Sequence, residues 1–149
     1  MREILFRGKC VDTGKWYEGQ YIQLHKTTFC FAVSEQRERE NEIHQIVFER
    51  MTDWSLPNQH LRVDVLPETV GQYTGLTDKN GKRIFEGDIC QTKGFPLIDD
   101  KPFVVEWNDD ECSFYWRDAL GTDEFNIGVS QNTTIIGNIH DNPELLKGE

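Results

Sequence analysis

A chain of 149 residues is long enough for one substantial core or two very small ones, and 37% hydrophobic residues together with 12 glycines place it in the globular range, so disorder is not the default. The longest unbroken apolar run, Phe29 to Val33, is five residues long against the ~20 of a transmembrane helix, so no membrane span is expected. The net charge of -10 falls mainly on residues 76–149 (7 basic, 15 acidic) rather than on residues 1–75 (9 basic, 11 acidic), a balance that disfavours binding to phosphate backbones.

In chain order, Ile4 to Phe6 alternates, Asp12-Thr13-Gly14 supplies turn chemistry, and Trp16 to Leu24 resumes the alternation through Tyr17, Tyr21 and Ile22, which predicts an N-terminal β-hairpin. Thr28 to Val33, rich in aromatic and β-branched residues, reads as a third strand, and Ile43 to Phe48 as a fourth. Between them Ser34 to Glu42 mixes both charge signs without an apolar face and reads as a solvated loop or one exposed helical turn. Met51 to His60 has no period and reads as a connection. Arg62 to Leu66 alternates, Pro67 stops it, and Thr69 to Tyr73 is extended again. Asn80-Gly81 within Thr77 to Lys82 marks a tight turn.

From Ile84 onward the spacing is regular. Glu86-Gly87-Asp88 precedes a strand Ile89 to Thr92, a loop with Gly94, Pro96 and Pro102 follows, and then come strands Phe103 to Trp107 and Cys112 to Arg117 around a polar turn, Asn108 to Glu111. A loop around Gly121 leads to a last strand, Thr133 to Asn138, and Asn142-Pro143-Glu144-Leu145-Leu146 predicts a short helical turn. Several short strands in so few residues suggest a small SH3-like β-barrel, with Phe103, Val105, Trp107, Phe114 and Trp116 facing its core. The fold class expected is mainly β with few short helices. Residues 1–75 form a β-rich N-terminal region of hairpin and small sheet, with an insert at 25–61, and residues 76–149 form the barrel region, the two making one compact unit.

Motifs that carry chemistry are scarce. Cys10, Cys30, Cys90 and Cys112 are widely separated and offer no zinc-clipping pair, so no metal is expected, and Cys30 and Cys90 in apolar runs read as small buried hydrophobes. Gly71 and Gly75 lead into a turn without a following Lys-Ser or Lys-Thr, which excludes a phosphate-binding loop. His25, His44, His60 and His140 sit in contexts that do not position a nucleophile. Three consecutive acids, Asp109-Asp110-Glu111, point in different directions from a hairpin loop. Glu106 with Glu124 is an acid/base pair only if the fold sets the right separation, and Asp99-Asp100-Lys101 lacks the strand-borne partner of a nuclease core. No catalytic, cofactor or metal residue is assigned.

The blocks Arg2 to Lys9 with Thr13-Gly14-Lys15-Trp16, Thr69 to Lys82, Ile84-Phe85-Glu86-Gly87-Asp88-Ile89 and Ile136 to Leu146, in this order and spacing, closely resemble the YopX family of phage and prophage proteins. The resemblance implies a β-rich fold with an SH3-like barrel in the C-terminal part and a tendency to self-assemble. It implies no activity. Within these blocks the polar residues Gln72, Thr74, Asp78, Asp88 and Asn138 are what a cryptic site would use, although polar turn residues commonly serve their own backbone. The expected protein is a non-enzymatic accessory protein in the cytoplasm of a bacterial host. It forms a homo-oligomer, binds phage or host protein, takes no cofactor, and engages neither nucleic acid nor membrane. The alternatives are an acidic decoy that occupies a host nucleic-acid-binding protein, and a carboxylate-dependent hydrolase.

Overall fold

The computed structural model describes the chain apart from residues 2, 95–99, 119–120, 122–123, 127–131 and 148–149, and for residues 124–126 it describes the backbone alone. The architecture is mainly β, as the alternating pattern predicts, and it divides into two compact units, Leu5–Val70 and Gly71–Glu149 with Met1–Ile4.

In the N-terminal unit, β1 (Phe6–Lys9) and β2 (Trp16–His25) form the expected hairpin, followed by α1 (Glu35–Asn41), β3 (Glu42–Arg50) and β4 (Gln59–Asp64). The antiparallel order is β4-β3-β2-β1. Its register places Tyr21 opposite Ile46, Gln23 opposite His44 and His25 opposite Glu42, so these six side chains share one face. Phe6 and Tyr17 lie on that same face. There Phe6 meets Tyr21 at 5.6 Å between ring centroids and Tyr17 meets Phe48 at 5.1 Å. Ile46 and Val65 are buried, while Phe6, Tyr17, Tyr21 and Phe48 stay half-buried. On the opposite face the Arg7 guanidinium lies 4.9 Å from the Trp16 ring centroid.

The segment Thr28 to Val33 is not a strand, contrary to its composition. β2 is already paired with β1 and β3, so a strand following β2 finds no free edge beside it. The end of α1 claims this chain instead. Lys26 N–H donates to the Asn41 carbonyl, and the buried Asn41 side chain exchanges two hydrogen bonds with the Thr27 backbone, at 3.0 and 2.7 Å. β-propensity measures fit to a pleated, half-buried surface, and without a neighbouring edge Phe29 and Phe31 stand in a coil, with Phe31 62% exposed. The charged stretch before β3 takes its helical alternative, with Ser34 as N-cap accepting from Arg37 N–H.

The C-terminal unit holds the one cluster of fully buried apolar side chains found among the described residues. The hairpin of β5 (Gly71–Thr77) and β6 (Arg83–Phe85) turns at Asn80-Gly81, where Gly81 has φ +80°. β7 (Asp88–Thr92), β8 (Phe103–Asn108), β9 (Ser113–Asp118), β10 (Glu124–Asn126) and β11 (Thr133–Asn138) form an antiparallel sheet in the order β10-β9-β8-β7-β11. Ile84, Cys90, Phe103, Val105 and Trp116 make the core, with Leu76, Phe114 and Ile135 packed against it. At roughly 1.5–3 kcal/mol for each large side chain removed from water, this cluster is the main apolar stabilisation of the unit.

Two expectations here need correction. Trp107, counted with the core face, is 37% exposed because it lies near the end of β8, where its ring meets Phe114 edge-on at 4.9 Å. β10 was not foreseen, since three residues are too short to show a period. The final turn, Pro143–Leu146, forms as a 3-10 helix, with Leu146 half-buried and Leu145 at the surface.

Candidate functional site

Asp78 and Asp88, the two acids marked as possible members of a cryptic site, are both buried, and both turn inward onto backbone. One carboxylate oxygen of Asp78 accepts from the N–H groups of Asn80 (2.8 Å) and Lys82 (2.9 Å), and the other accepts from Ile135 N–H at 3.3 Å. Burial pushes the Asp78 carboxyl up, and the N–H groups of Lys82, Asn80 and Ile135 together outweigh it, leaving the group below the usual carboxylate value. The same turn is tied to β11 by Lys79 N–H donating to the Thr133 carbonyl. Asp78 is therefore a staple between a hairpin and the last strand.

Asp88 does similar work at the entry to β7. Its carboxylate accepts from Phe85 N–H at 2.8 Å across a turn in which Gly87 has φ +82°. Gly87 itself donates to the Val105 carbonyl and accepts from Ile139 N–H. Thr74 Oγ1 bonds the Ile84 carbonyl, and Asn138 Oδ1 accepts from His140 and Asp141 N–H groups. Thr74, Asp88 and Asn138 thus bond backbone groups within ten positions of themselves, whereas Asp78 also reaches Ile135, 57 positions away.

Three further described acids of this unit, Glu86, Glu106 and Asp109, have local partners as well. Glu106 pairs with Arg117 and accepts from the Tyr115 hydroxyl. Burial raises the Glu86 carboxyl; an N–H from Gln72 opposes this, and the charges of Glu106 and Asp109 add to the rise. Asp109 accepts from the Trp107 indole N–H, and the following two N–H groups are capped by Asn108, while Asp109, Asp110 and Glu111 are exposed. The side chain of Glu124 and all of Asp99 lie outside the described residues. Among the described residues no three His, Cys, Asp or Glu side chains converge as cation ligands. Cys10 and Cys90 are buried, whereas Cys30, expected inside, is exposed because its segment is coil rather than strand.

A polar constellation does form in the N-terminal unit, and the sequence did not reveal it. The Tyr21 hydroxyl lies 2.6 Å from His44 Nδ1, and His44 Nε2 lies 2.9 Å from a Glu42 carboxylate oxygen. With Tyr21 donating to Nδ1, the Nε2–H donates to Glu42, so the three side chains form one relay along the sheet face. Burial, aided by the Glu42 charge, raises the Tyr21 hydroxyl, which keeps it a protonated donor rather than an activated nucleophile. Alternation alone places Glu42, His44 and Ile46 on one face; pairing Tyr21 beside His44 requires the register.

Glu42 also lines two open clefts. One, of about 470 Å³, is bounded by His25, Thr27, Phe29, Phe31 and Glu38. The second, of about 580 Å³, is bounded by Lys26, Arg39, His44, Asp64 and Val65. The floor of the first is the segment zipped to α1 by Asn41, and its rim is aromatic and acidic.

Fold and site thus define a small, mainly β protein of two units, with two open clefts on the N-terminal sheet and its helix. The family model described as YopX protein matches residues 5–147, and the chain belongs to the YopX family. Among solved structures it is similar to protein EF1440 from Enterococcus faecalis, at 21% identity over 98% of this chain and 99% of that one, with a TM-score of 0.54. That likeness concerns the fold. None of the curated proteins matches the chain. Among the described residues, no helix is long and apolar enough to cross a membrane.

Proposed function

We propose that this chain is a phage or prophage accessory protein that acts by binding proteins, beginning with copies of itself, and not by turning over a substrate. The observation that carries this reading is the apolar surface of the N-terminal unit: Val11, Leu24, Phe31, Met51, Trp54 and Leu56 are all exposed, Trp54 by 86%. Contiguous exposed apolar area marks interaction surfaces, and single exposed residues do not. Met51, Trp54 and Leu56 all lie in the one short connection between β3 and β4, which supports reading them as one such surface.

Family membership supports the accessory role, and the strand order β10-β9-β8-β7-β11, in which the last strand returns to the first of a four-strand meander, supports the SH3-like reading of the C-terminal unit. Protein is favoured over nucleic acid as partner by the net charge of -10. Among the described residues, the inward-turned Asp78 and Asp88 and the paired Glu106 weigh against the hydrolase reading.

Light scattering tests the reading. The wild type gives a mass above 17.4 kDa, and Trp54→Asp shifts the population towards the monomer while leaving the fold intact. A mass of one chain for the wild type across a hundredfold range of concentration overturns self-assembly.

A further inference from the structure

The smaller of the two clefts on the N-terminal unit combines three features that point to one kind of ligand. Its rim carries the carboxylates of Glu38 and Glu42 and no lysine or arginine. Phe31, 62% exposed, offers an open ring beside Phe29, with the two centroids 6.5 Å apart. The chain's own Arg37 already lies on the neighbouring ring, its guanidinium carbon 5.0 Å from the Phe29 centroid. An aromatic face attracts a cation through its quadrupole, and arginine more often than lysine.

We propose that this cleft binds an arginine side chain of a partner polypeptide, the guanidinium lying on Phe31 and pairing with Glu38. The inference rests on the protein-binding reading and names the chemistry of one partner. Charge complementarity supports it. Of the basic groups around the cleft, Arg37 is occupied on Phe29, Arg39 pairs with Glu35, and Lys26 Nζ donates to the Glu40 carbonyl. His25 is the one further basic group on the rim, and Glu42 is shared with His44. Glu38 is thus the carboxylate left to face an incoming cation. A planar guanidinium satisfies an open ring and a carboxylate together, which a lysine ammonium does less well. The volume of about 470 Å³ admits an arginine with part of its flanking backbone.

The test is a titration of the full-length, nitrogen-15-labelled protein with an octa-arginine peptide at about 150 mM salt, where the screening length is about 8 Å. Amide shifts are expected to concentrate in residues 25–42. Phe31→Ala and Glu38→Gln should each weaken binding by about two- to fivefold, Glu111→Gln in the acidic turn of the C-terminal unit should leave it unchanged, and octa-lysine should bind less tightly. Both substitutions on the rim replace side chains of coil or of an exposed helix face, and retained amide dispersion verifies the fold. Shifts spread over the acidic C-terminal half with equal affinity for octa-lysine, or wild-type affinity in both rim variants, overturn the proposal. Light scattering on the same samples separates the two readings: binding at the cleft by a monomer leaves this inference standing and removes self-assembly, whereas an oligomer that fails the titration removes only the inference.

Discussion

The C-terminal unit and the N-terminal unit are both antiparallel β, yet they dispose of their apolar residues in opposite ways. In the first, Ile84, Phe103, Val105 and Trp116 are almost entirely withdrawn from water, and the polar residues beside them, Asp78 and Asp88, are consumed by backbone N–H groups. In the second, Ile46 is fully buried, but the aromatic rings around it remain half-exposed, and Phe31, Met51, Trp54 and Leu56 face solvent. Buried carboxylates held by backbone N–H groups have little left with which to bind, although Thr92 Oγ1 and Trp116 Nε1 in the same unit are buried without a hydrogen-bond partner among the described residues. Side chains that stay at the surface with open rings or carboxylates retain that capacity, and the recognition proposed above uses those of the N-terminal unit.

This contrast is open to direct challenge. The largest effect should come from Phe103→Ala, expected to cost about 3–5 kcal/mol, while Trp54→Ala should stay within about 0.5 kcal/mol. Urea denaturation of the two variants checks the pair, and equal losses would erase the contrast between core and surface.

Next in size is Asp78→Asn, expected to cost about 1–3 kcal/mol at neutral pH because it removes a charged acceptor from three N–H groups. The pH dependence gives the sign. Since the folded-state pKa of Asp78 is lowered, its stabilisation is complete above the unfolded carboxyl value of roughly 3.9 and is lost as pH falls through the lower folded value. The gap between wild type and variant should therefore narrow in acid. A gap that stays constant from neutral pH to about pH 2 would contradict the role assigned to the carboxylate.

Tyr21→Phe probes the N-terminal relay and should lose about 0.5–1.5 kcal/mol, the net worth of one ordinary hydrogen bond. His44→Ala in the same background should then add less than it does alone, and strict additivity in the double-mutant cycle would show that the relay is not coupled. The smallest effect is that of Glu86→Gln. A raised folded pKa means that the Glu86 carboxylate disfavours the fold at neutral pH, and that this disappears as pH falls towards the unfolded value of roughly 4.3. The variant should melt slightly higher than wild type at pH 7, with the difference closing near pH 4. A lower melting temperature at pH 7 would reverse the sign argued here.

Much of the strand content was legible because period-2 alternation and turn chemistry are local properties. The hairpin at Asp12-Thr13-Gly14, the turn at Asn80-Gly81, the start of β7 after Gly87, and the strands around Phe103 and Trp116 each follow from a few consecutive residues. The YopX blocks could likewise be read directly, because they consist largely of such turn and strand residues. What failed was equally specific. Phe29 to Val33 carries strand composition but becomes coil, since pairing needs an edge and β3 had taken the one beside β2.

The sequence by itself determined the β class, the tight turns, the acidic charge and the absence of any familiar catalytic motif, because each depends on neighbouring residues or on composition. Only the tertiary structure decided which acids are staples and which remain open. Asp78 reaches the N–H of Ile135, 57 positions away, and Tyr21 reaches His44 across a strand pair. Whether a carboxylate meets backbone, an imidazole or solvent depends on strand register and long-range closure, and a single chain of letters does not carry that information locally.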